Sequence, residues 1–196
     1  MRVFLGITGA SGAPYAARLL EAFAAADCEV GLCASDAGIE VLATELYGQA
    51  RLSRDETIAR LLEHAHGGSV TVYDYRDWHA PYASGSAKVD AYVICPCSMG
   101  TLGTIASGAM SNLIHRAASV ALKEGRRLVL MPRETPLSDI HLENMLRVRR
   151  AGATILFCAP GFYHGAETVG DLVDFVVGRC LDQLGLEHTL VRRWGE

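Results

Sequence analysis

The chain has few of the features that would tie it to a membrane or to a polyanion. Its 196 residues contain no apolar stretch of the roughly 18 to 20 residues needed to span a bilayer. Eighteen basic residues face 22 acidic ones, for a formal charge of −4, and there is no long basic run, so the footprint of a nucleic-acid binder is missing. Lysine is scarce: only Lys88 and Lys123 occur, so it is not the routine surface charge here. The six cysteines, Cys28, Cys33, Cys95, Cys97, Cys158 and Cys180, show no metal-site spacing. Cys95-Pro96-Cys97 is too tight for a zinc pair and has no second pair, so no metal is expected. Cys33, Cys95, Cys97 and Cys158 lie in or at the ends of apolar runs, where a free thiol behaves as a small hydrophobe. The opening Met-Arg-Val-Phe-Leu-Gly reads as a strand and lacks a signal peptide's apolar region and cleavage site, so the expected compartment is the cytoplasm.

What is present is regular alternation. Short runs rich in Val, Ile and Leu at 3–8, 29–34, 70–74, 91–97, 127–132 and 154–159 read as buried parallel strands. Helical patterns are expected at 14–26, 36–47, 54–66, 111–124, 139–151 and 168–185. Alternating strands and helices predict an α/β fold, a doubly wound parallel sheet flanked by helices in a single domain. That domain is expected to run over 1–185, with 186–196 as a tail packing on a neighbouring subunit.

In such a sheet, ligands sit beyond the carboxyl ends of the strands. The first strand runs into GITGASGAPYAARLL, residues 6–20, where small residues stand between an apolar run and a helical pattern. Backbone amides at a helix start, with the positive end of its dipole, make a seat for phosphate. Gly6, Gly9 and Gly12 do not have the spacing of the dinucleotide fingerprint, although Asp36 at the next strand end keeps a nicotinamide reading open. No Gly-Lys-Ser/Thr follows, so the loop is not a P-loop. Ser98-Met99-Gly100-Thr101 adds donors at another strand end; Ser98 reads equally as an ordinary N-cap. Ser35-Asp36, Arg133-Glu134 and the 159–164 segment bring further polar groups to the same edge. Two hydroxyl-bearing loops suit a phosphate carrying a ribityl chain and a flat ring, which is FMN. Trp78 and Tyr82, in a long connection, suit either a cap on the ligand or a subunit interface. His141 and Glu143 lack partners for a metal site and read as helix-surface residues.

The segments TGASGAPYAARLL, CPCSMGTL, SNLIHRAASVALKEGRRLVLMPRETPLSDIHLENM and APGFYH…DLVDFVVGR, closing on RWGE, resemble the flavin prenyltransferases of the UbiX type over almost the whole chain. The resemblance implies a Rossmann-like flavoprotein that joins a dimethylallyl group from dimethylallyl phosphate to N5 and C6 of reduced FMN. It implies delivery of the prenylated FMN to a UbiD-type decarboxylase, no metal, and a homo-oligomer, commonly a dodecamer. Carried over by motif position, Gly9, Ala10, Ser11, Ser35, Ser98, Met99, Gly100, Thr101 and Arg133 would bind FMN. Tyr163 and Arg179 would hold the prenyl phosphate, helped by Lys123 and Arg116. Ser11, Glu45, Glu134 and Lys123 would serve the chemistry.

These residue types match the demands of the reaction. A departing phosphate is stabilised by fixed cations and donors in a dry pocket, and arginine, lysine and tyrosine supply a fork, a point charge and a directed hydroxyl. Closing the second bond requires a base, which a carboxylate in an apolar surround can provide. Two rivals remain at this level: a flavin-dependent cysteine decarboxylase on the same fold, and a non-catalytic FMN-binding subunit. The decarboxylases carry a Pro-x-Met-Asn-type clamp, where this chain has Pro132-Arg133-Glu134-Thr135-Pro136.

Overall fold

A computed structural model describes residues 1–192 and 195. Six strands form one parallel sheet: β1 (Arg2–Ile7), β2 (Glu29–Ala34), β3 (Val70–Tyr73), β4 (Ala91–Cys97), β5 (Arg127–Pro132) and β6 (Thr154–Ile155). Their order is β3-β2-β1-β4-β5-β6, so the chain winds outward from β1 in one direction and from β4 in the other. The doubly wound expectation holds, and the β1–β4 boundary is the switch point where such sheets open a crevice.

Seven helices cover the sheet: α1 (Ala13–Ala25), α2 (Asp36–Tyr47), α3 (Arg54–Glu63), α4 (Met99–Ser107), α5 (Leu113–Lys123), α6 (Asp139–Arg150) and α7 (Val169–Leu184). Helix α4 is not among the helical ranges expected from the sequence, although Ser98 reads there as an N-cap at a strand-to-helix turn. Gly100 and Gly103 lower its propensity, but Ser98 accepts from the Thr101 amide at 3.2 Å and Gly108 closes it in the left-handed conformation. Strand β6 is shorter than expected. As an edge strand it pairs on one side, yet its extension still donates from Leu156 to Leu130 O and from Cys158 to Pro132 O.

One core lies under α1 and α7, where Leu5, Leu19, Phe23, Val177 and Leu181 meet. The other lies under α5, around Phe4, Tyr92, Ile94, Ile114 and Leu130. Tyr82 belongs to the second core and neither caps a ligand nor anchors a subunit interface. It is buried in a ring cluster with Phe4, Tyr73 and Tyr92, with centroids 5.0, 5.4 and 6.5 Å away. It fits because Gly31 on β2 has no side chain where the ring lies. Trp78, four residues earlier, is nearly half exposed. All six cysteines are free, and burial pushes the Cys33 thiol up to about 12, which leaves it unreactive. His141 is the third residue of α6 and completes a capping box with Ser138. Among the described residues no helix is long and apolar enough to cross a membrane. Leu186 and Leu190 pack against the chain's own α1/α7 core; of the closing RWGE, Arg193, Trp194 and Glu196 lie outside the described residues.

Candidate active site

Strands β1, β2, β4 and β5 end together, and their loops form a rim. The residue that joins the two halves of the sheet there is Thr8, which the sequence analysis passes over. It is 2 % exposed. Its amide and hydroxyl both donate to Pro96 O, at 3.1 and 2.8 Å, and its Oγ1 accepts from the Ser98 amide at 2.8 Å. One side chain thereby sets the Gly9–Ser11 loop against the start of α4. A hydroxyl is needed because the position requires donor and acceptor together.

The same rim is tightly packed on one side and open on another. A Cβ at Gly9 would fall 2.5 Å from that of Ala37, and one at Gly38 would fall 2.6 Å from Ile7 O, so the β1 loop and α2 approach at backbone distance. At Gly100, by contrast, a Cβ would meet only Ser98 Oγ, at 4.0 Å. The first turn of α4 therefore presents bare backbone. Ser35 caps α2, accepting from the Gly38 amide at 3.0 Å, as Ser98 caps α4. Capping uses the lone pairs of Ser35 and leaves its hydroxyl hydrogen to donate; the Ser98 hydroxyl donates to Thr101 Oγ1 at 3.1 Å. Arg133, after β5, reaches across the rim and donates from Nε to Ser11 O at 3.3 Å. Gly9, Ala10, Ser11, Ser35, Ser98, Met99, Gly100, Thr101 and Arg133 are thus gathered at one sheet edge. The donor set, two helix starts with hydroxyls plus a guanidinium, fits a phosphorylated flavin.

The start of α1 departs from its expected use. Glu45, on the last turn of α2, accepts from the Gly12 and Ala13 amides at 2.8 Å each. A carboxylate of the chain itself therefore occupies the seat that the sequence analysis gives to a phosphate. Glu45 stands beside Ser11 through this contact. Glu134, half-buried on the far side of the rim, accepts from the Thr135 amide at 3.1 Å.

The remaining cations are elsewhere. Lys123 ends α5, a helix about 16 Å long at 1.5 Å per residue, just before β5 begins at the opposite sheet edge, and it pairs with Glu124. Arg116 donates from Nε to Ala83 O at 2.8 Å, fastening the 80–87 connection. Tyr163 is 67 % exposed and lies edge-on to Phe175. Arg179 lines the same open cleft, about 880 Å³, on the outer flank of α7. The end of α7 is tied to the start of β5, since Arg127 Nη1 donates to Leu184 O at 2.8 Å. Arg179, five residues before that end, is therefore in the half of the helix remote from the rim. Within one chain Lys123 and Arg179 therefore lie away from the flavin residues, whereas Tyr163 follows β6 at the carboxyl ends of the strands.

Comparison with known proteins decides the family. The flavoprotein family model matches residues 1–181. The flavin prenyltransferase UbiX of Pseudomonas aeruginosa is 51 % identical over all of this chain and 94 % of its own length. That of Methanocaldococcus jannaschii is 43 % identical over 100 % of this chain and 99 % of its own. This chain belongs to the flavin prenyltransferases of the UbiX type.

Two solved members of the group share its shape. AnUbiX (PadA1), in complex with FMN and dimethylallyl pyrophosphate, is 40 % identical with a TM-score of 0.87, covering 100 % of this chain and 97 % of that one. A dodecameric FMN-dependent UbiX-like decarboxylase from Escherichia coli O157:H7 is 41 % identical with a TM-score of 0.88, each chain being fully covered. The FMN-dependent cysteine decarboxylase TvaF, at 13 % identity and a TM-score of 0.63, shares the fold alone.

Proposed function

We propose that this flavin prenyltransferase joins the dimethylallyl group of dimethylallyl phosphate to N5 and C6 of reduced FMN, and that the prenylated FMN passes to a UbiD-type decarboxylase. The observation that carries the reading is the rim itself: a bare first turn on α4, the Ser35 and Ser98 caps and Arg133, gathered where β1 and β4 part. Residues Gly9–Ser11, Ser35, Ser98–Thr101 and Arg133 hold FMN. When bound, reduced FMN supplies the two nucleophilic ring positions.

The chain's own groups do the rest. Glu45 orders the Ser11 loop by holding Gly12 and Ala13. Glu134 accepts the proton from C6 as the second bond forms. Tyr163 and Arg179, with Lys123 and Arg116, take up the charge of the departing phosphate. Because Lys123 and Arg179 lie away from the rim within one chain, they act on the FMN of neighbouring copies in a homo-oligomer, with Tyr163 beside Arg179 on the same cleft. A dodecameric relative of the same shape supports that arrangement.

Anaerobic incubation of the protein with reduced FMN and dimethylallyl phosphate, followed by mass measurement of the released flavin, tests the reaction. A gain of one five-carbon unit is expected. Unchanged flavin, with carbon dioxide released from a cysteinyl substrate, would instead favour a decarboxylase. Parallel reactions with dimethylallyl diphosphate decide the donor.

A further inference from the structure

On the cleft side of α7, Arg179 is joined to a second acid and a histidine. Its Nη1 donates to Asp182 Oδ2 at 2.7 Å, one helical turn on. Asp182 Oδ1 lies 3.2 Å from Nε2 of His188, beyond the end of the helix. The backbone amide of Leu190 donates to His188 Nδ1 at 3.3 Å, so Nδ1 carries a lone pair and Nε2 carries the hydrogen that points to Asp182. The imidazole is 8 % exposed. It lies in a notch made by Gly178, where a Cβ would fall 2.9 Å from its Cε1. Glycine is disfavoured inside a helix, and here its lack of a side chain seats the histidine.

A solvated Arg–Asp pair three residues apart would contribute little and fix nothing. This pair differs because the acid is held from behind. We propose that Asp182 is a positioning residue: braced by His188, it holds the Arg179 guanidinium facing the cleft for the phosphate of the prenyl donor. The inference rests on the function proposed above and adds two residues to it. Arginine loses rotamer freedom when it grips an anion, and a guanidinium already fixed by Asp182 loses less on binding. The four remaining donors of Arg179 are left for the phosphate. The chain His188–Asp182–Arg179 also links the 186–190 segment to the donor site.

Calorimetric titration of dimethylallyl phosphate into the protein loaded with oxidised FMN reads binding without turnover. Asp182→Ala is expected to weaken donor binding about tenfold and His188→Gln about threefold, with FMN affinity near wild type and a melting temperature lower by a few degrees, since each breaks a buried hydrogen bond. In an Arg179→Ala background, Asp182→Ala should weaken binding no further. If alanine lowers the yield of folded protein, Asp182→Leu, which fills the space but cannot accept a hydrogen bond, answers the same question. Wild-type donor affinity in Asp182→Ala, or an equal further loss in the Arg179→Ala background, would overturn the proposal. A wild type that binds the donor but leaves reduced FMN unchanged would sink prenyl transfer and leave this positioning role standing. Prenyl transfer with unaltered binding in Asp182→Ala would sink the positioning role alone.

Discussion

The rim at the ends of β1, β2, β4 and β5 and the flank of α7 that carries Arg179 are built in different ways. At the rim almost every group is fixed by backbone. Thr8 stitches β1 to β4, Ser35 and Ser98 cap helices, and Glu45 closes α1. On the flank, Phe162 and Tyr163 are largely exposed, and Arg179 is held by the side chain of Asp182. This difference predicts which substitutions damage chemistry, which damage assembly and which damage the fold.

The largest effect is expected at Glu134. Glu134→Gln should keep FMN binding but slow ring closure by about 100- to 10,000-fold, the range of a missing general base. Single-turnover mixing of reduced FMN and donor reads it directly, and full rates in the variant would remove Glu134 from the mechanism. Arg179→Ala comes next, lowering kcat/KM for the donor about 100-fold, as for loss of one charge-stabilising donor. The comparison is sharpest in hybrids. Oligomers assembled from Arg179→Ala and Arg133→Ala chains should be more active than either parent, because some sites draw both intact residues from different copies. Hybrids no better than their parents would mean that each chain serves its own flavin.

A smaller, purely structural effect is expected at Thr8. Thr8→Val keeps the shape but leaves the Ser98 amide without its acceptor, a loss of about 1–3 kcal/mol. For a chain of this size each kcal/mol lowers the melting temperature by about 2–4 °C. The cost should fall on stability and on FMN affinity together, since one hydroxyl sets both rim loops. Arg179→Ala, by contrast, should leave the melting temperature alone.

The same contrast explains what could be read from the sequence. Strand positions followed from Val, Ile and Leu runs, because buried parallel strands carry apolar residues on both faces. The rim followed from its glycines and hydroxyls, which have few reasons to cluster at strand ends. Helix α4 did not, since Gly100 and Gly103 argue against a helix in isolation and only the Ser98 cap and the packing of Leu102 and Ile105 argue for one. Tyr82 was misread because nothing local says that Gly31, 51 positions earlier, leaves room for its ring. The occupation of α1's start by Glu45 was equally illegible. It depends on where α2 ends in space, and no spacing between residues 12 and 45 encodes that. Arg179 and Tyr163 came from motif resemblance, and the displacement of Arg179 from the rim became visible only with the fold.

The smallest effect is a test on a helix whose two ends differ in the same way as rim and flank. Near its start α5 buries His115, 7 % exposed, whose Nδ1 lies 2.9 Å from Ser111 Oγ; at its end it exposes Lys123. Burial lowers the pKa of His115 below the ordinary value of 6.5. The unfolded chain therefore binds a proton more readily than the folded one between those two values. The contribution of neutral His115 to stability is fully present above about pH 6.5 and is lost as the pH falls through the folded pKa. Urea unfolding at a series of pH values should show this decline in the wild type and a shallower one in His115→Gln. Lys123→Ala, at the solvated end of the same helix, should leave the slope unchanged; an equally shallow slope in both variants would assign the acid sensitivity to some other group.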